Sequence, residues 1–391
     1  MSDLRVPKKG ISITLPIVLL IVGLLIGVVI GYYAAPQPAV KEESVNSFAA
    51  GSLTYALGSE FNPQFQNLTD IKVGMTFGGS ISGTREVQSG SPFSVFISAS
   101  APILYQNLMN RTHYASWQII FATNQMAITW LNSKYAIPST YPFWFENISA
   151  NSTVVSASNA SLDPSGFQAI EMVKLAGILY TDWNNTYVRE AFNQNYTSFS
   201  VYNKAWNNWF VKNWGYPVND SSALYHQLFV SKYLNKTLIL TTEEYGLDAY
   251  LEAGSADYAL TYISQAVNQH LYYYENSTGG NGLPKWINLG ETGKDVVDFY
   301  MDINESGPSW DSVGNLPGAP IFYSITIISN HTSQQAIEYV SALITMGYHY
   351  LNDSKFSPLV QPFAIGISNM PSELIPLLTA PPAYIPVSAY E

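Results

Sequence analysis

The chain has 391 residues, a formal net charge of −11, only 12% charged residues and no cysteine. The acidic balance argues against a nucleic-acid partner, and the lack of cysteine excludes disulfides and thiolate metal sites. Thirteen Asn-x-Ser/Thr sequons, more than the composition alone predicts, indicate an exported and N-glycosylated surface.

The first predicted element is an apolar segment at residues 11–31, which contains no charged residue and is long enough to cross a bilayer. Three basic residues precede it and no other follows before Lys41, so the N-terminus should stay inside the cell. A cleavable signal peptide also fits, and KKGIS resembles an archaeal class III signal that is cut after Gly10. All three alternatives export the chain. We expect a membrane tether, with 1–33 as signal or anchor and 34–46 as linker.

The remaining chain, about 345 residues, is too long for one core and predicts two lobes. Between residues 47 and 130, short apolar strands alternate with helical stretches: SFAAGSLTYAL reads as a strand running into a helix, IKVGMTFGGS as a strand ending at a glycine-rich turn, and FSVFISAS as a buried strand. FATNQMAITWL reads as a further strand. This alternation predicts βαβ units and a parallel sheet, whose ligands gather beyond the carboxyl ends of the strands.

Residues 181–240 are rich in aromatic side chains and asparagine and show little periodicity. After them, the pattern predicts a helix at TTEEYGLDAYLEAG, a strand at DYALTYI, a strand at APIFYSITIIS and a helix at SQQAIEYVSALITMGYHYL. The α/β pattern therefore resumes in the last third of the chain.

Three turns at predicted strand ends contain glycine or alanine next to serine: AGSLT, GGSISGT and SASAP. Small residues let the backbone approach a ligand closely, while hydroxyl and amide groups donate hydrogen bonds. Such neutral donors can hold an anion, and Arg85 is the one basic residue beside these turns. Each turn alone is more often structural, but the set favours a polar cleft.

Two carboxylates have alternative roles. Asp163 stands before Pro164 and a long helical stretch, which is typical of an N-cap, but its carboxylate could also serve a ligand. Glu244 is similar, because Thr241-x-x-Glu244 fits a capping box. The local pattern leaves both alternatives open.

The order of these motifs resembles the archaeal tungstate/molybdate-binding branch of the extracytoplasmic solute-binding proteins of ABC importers. The resemblance runs from about residue 47 to 380 and rests on AGSL, GGS, SASAPIL, DPSGF, LEAGSADYALTYIS, INLG and GAPIFYSITIISN. It implies an α/β fold of two lobes, the type II periplasmic-binding-protein fold, joined by hinge strands at FATNQMAITW and APIFYSITII. Lobe one would comprise 47–125 and 320–391, and lobe two 126–319.

The resemblance also implies an oxyanion in the cleft between the lobes. Ser52 and Ser80 would donate hydrogen bonds to it, and Tyr262 would add another. Asp163 and Glu244 would bind tungsten or molybdenum directly and raise its oxygen ligands from four to six. Two carboxylates would repel sulfate or phosphate, whereas a hard hexavalent metal accepts two more oxygens. The pair therefore favours tungstate or molybdate.

The sequence departs from the family motif D-P-C-G-Y-R, because Ser165, Phe167 and Gln168 stand at its Cys, Tyr and Arg positions. Ile263 stands where the family has a lysine after the site tyrosine. Both changes remove a basic group near the expected ligand.

By resemblance, the chain is a monomeric binding component without a cofactor, and its partner is an ABC permease in the membrane. We expect no enzymatic activity, because the sequence contains no nucleophile elbow, zinc-protease motif or P-loop. The alternatives are a binder of sulfate or phosphate and a glycosylated, adhesin-like surface protein. The adhesin alternative leaves the two carboxylates and the serine turns unexplained.

Overall fold

The computed structural model describes residues 44–306 and 315–383, which belong to one compact unit, Glu43–Glu391. The predicted signal or anchor at 1–33 lies outside the described residues. Within the described part of the chain, no helix combines the length and the apolar character needed to cross a membrane. Strand β1 (Ser44–Ala50) begins inside the predicted linker of residues 34–46 and takes up its last three residues.

The described residues form thirteen strands. They are β1 Ser44–Ala50, β2 Lys72–Gly78, β3 Val95–Ser98, β4 Gln118–Thr123, β5 Met126–Trp130, β6 Val155–Ser158, β7 Leu238–Thr241, β8 Tyr258–Tyr262, β9 Tyr272–Tyr273, β10 Asn304–Ser306, β11 Asn315–Pro317, β12 Phe322–Ile327 and β13 Ser357–Ile365.

The α-helices of the same residues are α1 Asn62–Thr69, α2 Ser80–Gln88, α3 Ala101–Leu104, α4 Trp144–Ser149, α5 Pro164–Thr181, α6 Thr186–Ala191, α7 Tyr196–Trp214, α8 Ala223–Tyr225, α9 Lys232–Leu234, α10 Leu247–Glu252, α11 Ile263–Asn268, α12 Lys294–Tyr300, α13 Gln334–Met346 and α14 Tyr348–Asp353. Three segments are π-helical: Thr54–Phe61, Tyr105–Asn110 and His226–Ser231. Short 3₁₀ turns cover Gly51–Leu53, Ser133–Tyr135, Glu244–Gly246, Ser329–His331, Ile367–Asn369 and Ile375–Leu377.

Two large sheets organise the molecule. The first has six strands in the order β13-β4-β12-β3-β1-β2, and the second has five in the order β7-β6-β8-β5-β9. β10 and β11 form a separate antiparallel pair. Every residue of the inner strands β4, β5, β8 and β12 is buried, as expected where helices cover both faces of a sheet.

The predicted parallel arrangement is wrong for part of each sheet. β1 runs parallel to β2 and β3, and β6 runs parallel to β7 and β8, as the βαβ pattern predicts. However, β12 is antiparallel to β3 and β4, β13 is antiparallel to β4, and β5 is antiparallel to β8 and β9. The sheets are mixed because these strands are not joined to their neighbours by the helical crossover that a parallel pair needs.

The chain passes between the sheets within FATNQMAITW, which is two strands rather than one. β4 ends at Thr123 in the first sheet and β5 begins at Met126 in the second, so only Asn124 and Gln125 join them. The chain returns to the first sheet at β12, which contains most of APIFYSITII.

Residues 181–240, which showed little periodicity, contain the four helices α6 to α9. α7 buries Phe199, Trp206 and Phe210. The rings of Trp206 and Phe210 lie 4.6 Å apart, and Phe145 of α4 packs 5.0 Å from Trp206. Large aromatic side chains form this core, so the partly buried tyrosines and tryptophans around it hide the helical period in the sequence.

Candidate functional site

The turns at the carboxyl ends of β1 and β2 touch the segments that follow β6 and β7 in the other sheet. The backbone N–H of Ser82 donates to the carbonyl of Leu162 at 3.0 Å. A Cβ on Gly79 would lie 2.5 Å from the same carbonyl oxygen, and one on Gly51 would lie 3.4 Å from Oε1 of Glu244. The two sheets therefore meet across a closed cleft at this point.

The five residues predicted to form the site come from five separate segments. Ser52 lies in the turn after β1, Ser80 begins α2, Asp163 precedes α5, Glu244 begins the 3₁₀ turn after β7, and Tyr262 ends β8. Each of them is 1% exposed or less. Contacts across the cleft bring these segments together.

Asp163 occupies the N-cap position of α5 in an extended conformation, yet its side chain makes no capping hydrogen bond. Its Oδ2 instead accepts a hydrogen bond from the backbone N–H of Glu244 at 3.1 Å. Oδ1 is buried without a hydrogen-bond partner among the described residues. The expectation that Asp163 caps its own helix is therefore wrong, because the carboxylate is directed towards the neighbouring 3₁₀ turn.

The capping box expected at Thr241 and Glu244 is also absent. The hydroxyl of Thr241 donates to the carbonyl of Glu243 at 2.7 Å, and neither residue caps the 3₁₀ turn with its side chain. Both carboxylate oxygens of Glu244 are buried and have no hydrogen-bond partner in the described part of the chain. Neither predicted site carboxylate is therefore explained as a helix cap.

The electrostatic environment of the two carboxylates is acidic. Burial, followed by the charge of Glu244, raises the pKa of Asp163 well above its ordinary value, and among the described residues no basic side chain opposes this shift. Burial and the same charge raise the pKa of Glu243, which is the neighbouring residue. A third carboxyl group thus lies near the pair, and the site favours protonated carboxyls or a ligand that binds carboxylates.

The two serines make different hydrogen bonds. Oγ of Ser80 accepts from the backbone N–H of Ala99 at 3.0 Å, which leaves its own proton available for a ligand. Oγ of Ser52 lies 2.6 Å from the hydroxyl of Tyr323. Tyr323, in β12, was not predicted as a site residue. Tyr323 lies in APIFYSITII, where the chain returns from the second sheet to the first. This position next to the cleft could have identified it as a site residue.

The hydroxyl of Tyr262 is held by Gln168, which also reaches a residue of the first lobe. This hydroxyl donates to Oε1 of Gln168 at 2.6 Å, and Nε2 of Gln168 donates to the carbonyl of Ala99 at 3.4 Å. Burial, the nearby Tyr323 and the charges of Asp163 and Glu244 all raise the pKa of Tyr262. Gln168, at the position of the family's arginine, therefore positions the tyrosine by hydrogen bonds and without positive charge.

Asn124 links the two passages between the sheets. Its Nδ2 donates to the hydroxyl of Ser264 at 2.8 Å and to that of Tyr323 at 3.3 Å. The rings of Tyr262 and Tyr323 meet edge to face, with centroids 6.4 Å apart. Ser52, Asn124, Tyr262 and Tyr323 thus form one buried cluster beside the carboxylate pair.

Residues 44–306 and 315–383 contain no group of three or more histidine, cysteine, aspartate or glutamate side chains that could hold a metal ion. The pair formed by Asp163 and Glu244 is too small to hold a bare ion alone. It is suited to add two oxygens to a metal centre that brings its own oxygen ligands.

Comparison with known proteins identifies the kind of molecule. The sequence profile of bacterial extracellular solute-binding proteins matches residues 45–345. The chain is 64% identical to an uncharacterized solute-binding protein of Thermoplasma volcanium over 386 residues, which cover 98% of each chain. It is 26% identical over 340 residues to a molybdate/tungstate-binding protein of Pyrococcus abyssi, covering 84% of this chain and 87% of that one.

Two solved structures share the fold. The periplasmic molybdate-binding protein of Azotobacter vinelandii superposes with a TM-score of 0.50 at 12% identity, covering 81% of this chain and 100% of that one. The sulfate-binding protein of Mycobacterium tuberculosis superposes with a TM-score of 0.51 at 11% identity, covering 81% and 88%. At these identities the likeness concerns the fold alone, and it confirms the predicted two-lobed α/β fold.

Proposed function

Because the chain belongs to the family of bacterial extracellular solute-binding proteins, we propose that it is the binding component of an ABC importer that takes up tungstate or molybdate. The oxyanion would bind in the cleft between the lobes. The family consists of binding proteins, so the prediction that the chain is not an enzyme is confirmed. The ligand, the importer and the anchor are our proposals.

The observation that carries the choice of ligand is the buried pair of Asp163 and Glu244, which no basic side chain in the described part of the chain neutralises. Burying two carboxylates without a counter-charge is costly, and a sulfate or phosphate dianion between them would add repulsion. A hexavalent tungsten or molybdenum centre reverses this balance, because it can bind both carboxylates as oxygen ligands. The pair therefore disfavours simple tetrahedral anions and favours expandable ones.

The remaining polar groups of the cleft suit the oxo groups of such a ligand. Ser80 has a free proton to donate, and Ser52 can turn its hydroxyl from Tyr323 towards an anion. Tyr262 would donate once its hydroxyl is released from Gln168. Closure of the lobes would complete the set, since these donors belong to both sides of the cleft.

The relatives support this choice in part. The molybdate/tungstate-binding protein of Pyrococcus abyssi aligns over 84% of this chain, at 26% identity. The structural matches include both a molybdate-binding and a sulfate-binding protein, so the fold does not decide between the anions. The decision therefore rests on Asp163 and Glu244.

The importer partner and the location follow from the same proposal. We expect a monomer that closes around the anion and then docks an ABC permease. The lobes would comprise 47–125 with 320–391, and 126–319, with the two passages between the sheets as hinges. The segment at 1–33 would hold the protein at the outer face of the membrane.

A second candidate ligand is a hard trivalent cation such as ferric iron. The observation that favours it is Tyr323, which places a second phenol near Tyr262 and the carboxylates. Oxygen donors of this kind suit hard cations. The bonds from Tyr262 to Gln168, and between Tyr323 and Ser52, would have to break before either phenol could bind a metal.

Calorimetric titration of the purified exported chain tests both candidates. We expect tight binding of tungstate or molybdate, and weak or no binding of sulfate, phosphate and ferric citrate. A preference for sulfate or phosphate would overturn the role of the carboxylates. Binding of ferric iron with a tyrosinate absorption band would overturn the oxyanion proposal in favour of the second candidate. No binding of any of these ligands would overturn both.

A further inference from the structure

The thirteen sequons are placed differently from the other asparagines. Their asparagines are Asn67, Asn110, Asn147, Asn151, Asn159, Asn184, Asn195, Asn219, Asn235, Asn276, Asn304, Asn330 and Asn352. Of the twelve whose side chains are described, ten are exposed and none is buried. Of the fifteen other described asparagines, six are exposed and three are buried. Asparagines in sequons are therefore exposed more often than the other asparagines of the chain.

Asn195 is the sequon asparagine with the most informative surroundings. It is exposed and caps α7, because its Oδ1 accepts hydrogen bonds from the N–H groups of Thr197 at 3.0 Å and Ser198 at 3.1 Å. The cap uses only the oxygen of the side-chain amide. Nδ2, the atom that N-glycosylation modifies, takes no part in the cap and is held in one orientation.

A cavity of about 430 Å³ lies beside this cap. Asn193 and Ser198, on either side of Asn195 in the sequence, both line it, and its walls also include Phe192, Tyr202 and Trp286. The rings of Phe192 and Tyr202 lie 5.5 Å apart. The cavity therefore combines aromatic faces with an amide and a hydroxyl.

We propose that Asn195 is N-glycosylated and that the first sugars of its glycan pack into this aromatic cavity. One face of a pyranose ring carries C–H bonds, which pack well against the electron-rich face of an aromatic ring. Its hydroxyl groups can bond to Asn193 and Ser198. Because Ser198 both donates to Asn195 and lines the cavity, a sugar on Nδ2 starts close to this surface and needs no long linker to reach it.

The modification requires a lipid-linked oligosaccharide as the sugar donor. Nδ2 of Asn195 forms a bond to the anomeric carbon, and the bond from that carbon to the carrier phosphate breaks. The lipid phosphate leaves with the electron pair, and the amide nitrogen loses one proton. This proposal does not depend on the ligand in the cleft.

The first experiment is glycopeptide mass spectrometry on the protein from its native cells. We expect a glycan on Asn195. A peptide that carries unmodified Asn195 throughout the sample would overturn the proposal.

The second experiment locates the sugar with variants made in the same cells. Asn195→Asp keeps an oxygen for the cap and loses the acceptor nitrogen, and Thr197→Ala keeps the cap and destroys the sequon. Asn67→Asp is the control, since it removes an exposed sequon on α1. Hydroxyl-radical labelling of Phe192 and Tyr202 should rise several-fold in the first two variants and stay at the wild-type level in the control. Equal labelling in all four proteins would show that the glycan does not occupy the cavity.

Discussion

Asp163 accepts a hydrogen bond from the backbone N–H of Glu244, although the two residues are 81 positions apart and follow different strands of the second sheet. This bond places the start of the 3₁₀ turn Glu244–Gly246 against the start of α5. The two acidic residues are therefore positioned by the backbone of their own lobe, before any ligand arrives. A ligand that needs both carboxylates would meet a prearranged pair.

Removing either negative charge should weaken tungstate binding without unfolding the protein. In Asp163→Asn an amide oxygen can still accept from the N–H of Glu244, and the helix loses no cap because none is present. We expect Asp163→Asn and Glu244→Gln each to lower tungstate affinity by at least about tenfold, or about 1.4 kcal/mol. Weak sulfate binding should hold steady or improve, because repulsion is relieved.

The control for these variants is Glu190→Gln, which removes the same charge at an exposed position of α6. It should bind tungstate as the wild type does. Calorimetric titration with tungstate and sulfate makes the measurement. Wild-type tungstate affinity in both site variants would show that the carboxylates are not ligands.

The stability of the empty protein should depend on pH through Asp163. Its pKa is raised in the folded state, so this state binds more protons than the unfolded chain between the two pKa values. The resulting stabilisation is fully present below about pH 4 and is lost as the pH rises through the folded pKa. Asp163→Asn carries no such proton.

Urea unfolding of ligand-free wild type and Asp163→Asn at a series of pH values isolates this effect. The variant should gain stability relative to the wild type as the pH rises from about 4 towards neutral. A constant difference between the two proteins over this range would contradict the prediction.

The sequence predicted those parts of the fold that depend on local pattern. Apolar runs that end at small residues predict the parallel strands β1, β2 and β3 and the serine turns after them. The family register brought Asp163 and Glu244 together, although each alone resembled a helix cap. Local pattern could not show where the carboxylate of Asp163 points, because a backbone N–H group 81 positions away decides that direction.

Other features depend on contacts that no short segment contains. The antiparallel setting of β12 results from its return from the second sheet, and Tyr323 reaches Ser52 across 271 positions of the chain. α7 escaped detection because partly buried aromatic side chains blur its apolar stripe. A local sequence pattern cannot predict contacts between residues that are this far apart in the chain.

The N-terminal segment should remain on the mature protein, either uncut or cut after Gly10. Its apolar run is long enough to span a bilayer, and the basic residues before it favour an inside N-terminus. Intact-mass measurement and N-terminal sequencing of membrane-extracted native protein test this. A mature terminus near Ala35, with the protein free in the medium, would contradict it.

The hydrogen bond between Ser52 and Tyr323, which joins two segments of the first lobe, should stabilise the folded protein. The oxygens lie 2.6 Å apart, and both residues are buried. A double-mutant cycle of Ser52→Ala and Tyr323→Phe should give a coupling of about 1 kcal/mol in the free energy of unfolding.

The control cycle pairs Ser52→Ala with Tyr258→Phe. Tyr258 begins β8 in the second sheet, and its hydroxyl donates to the carbonyl of Tyr135. These two changes should be additive. Equal coupling in both cycles would show that the bond between Ser52 and Tyr323 contributes nothing specific.

Closure of the cleft should depend on the absence of a side chain at Gly79. Its backbone angles, φ −63° and ψ 130°, suit any residue, so alanine introduces no backbone strain. A Cβ there would lie 2.5 Å from the carbonyl oxygen of Leu162 and 3.0 Å from Cβ of Asp163, both across the cleft. Because these contacts exist only when the lobes meet, Gly79→Ala should keep the fold of each lobe and hold the cleft open.

Gly293→Ala is the matched control, since Gly293 also precedes a helix in an extended conformation and has open space around it. In Gly79→Ala we expect tungstate affinity to fall by at least about tenfold, and the radius of gyration in solution to stay at its ligand-free value when tungstate is added. Gly293→Ala should bind and compact as the wild type does. Wild-type affinity and compaction in Gly79→Ala would mean that the ligand is bound without the contact between Gly79 and Leu162.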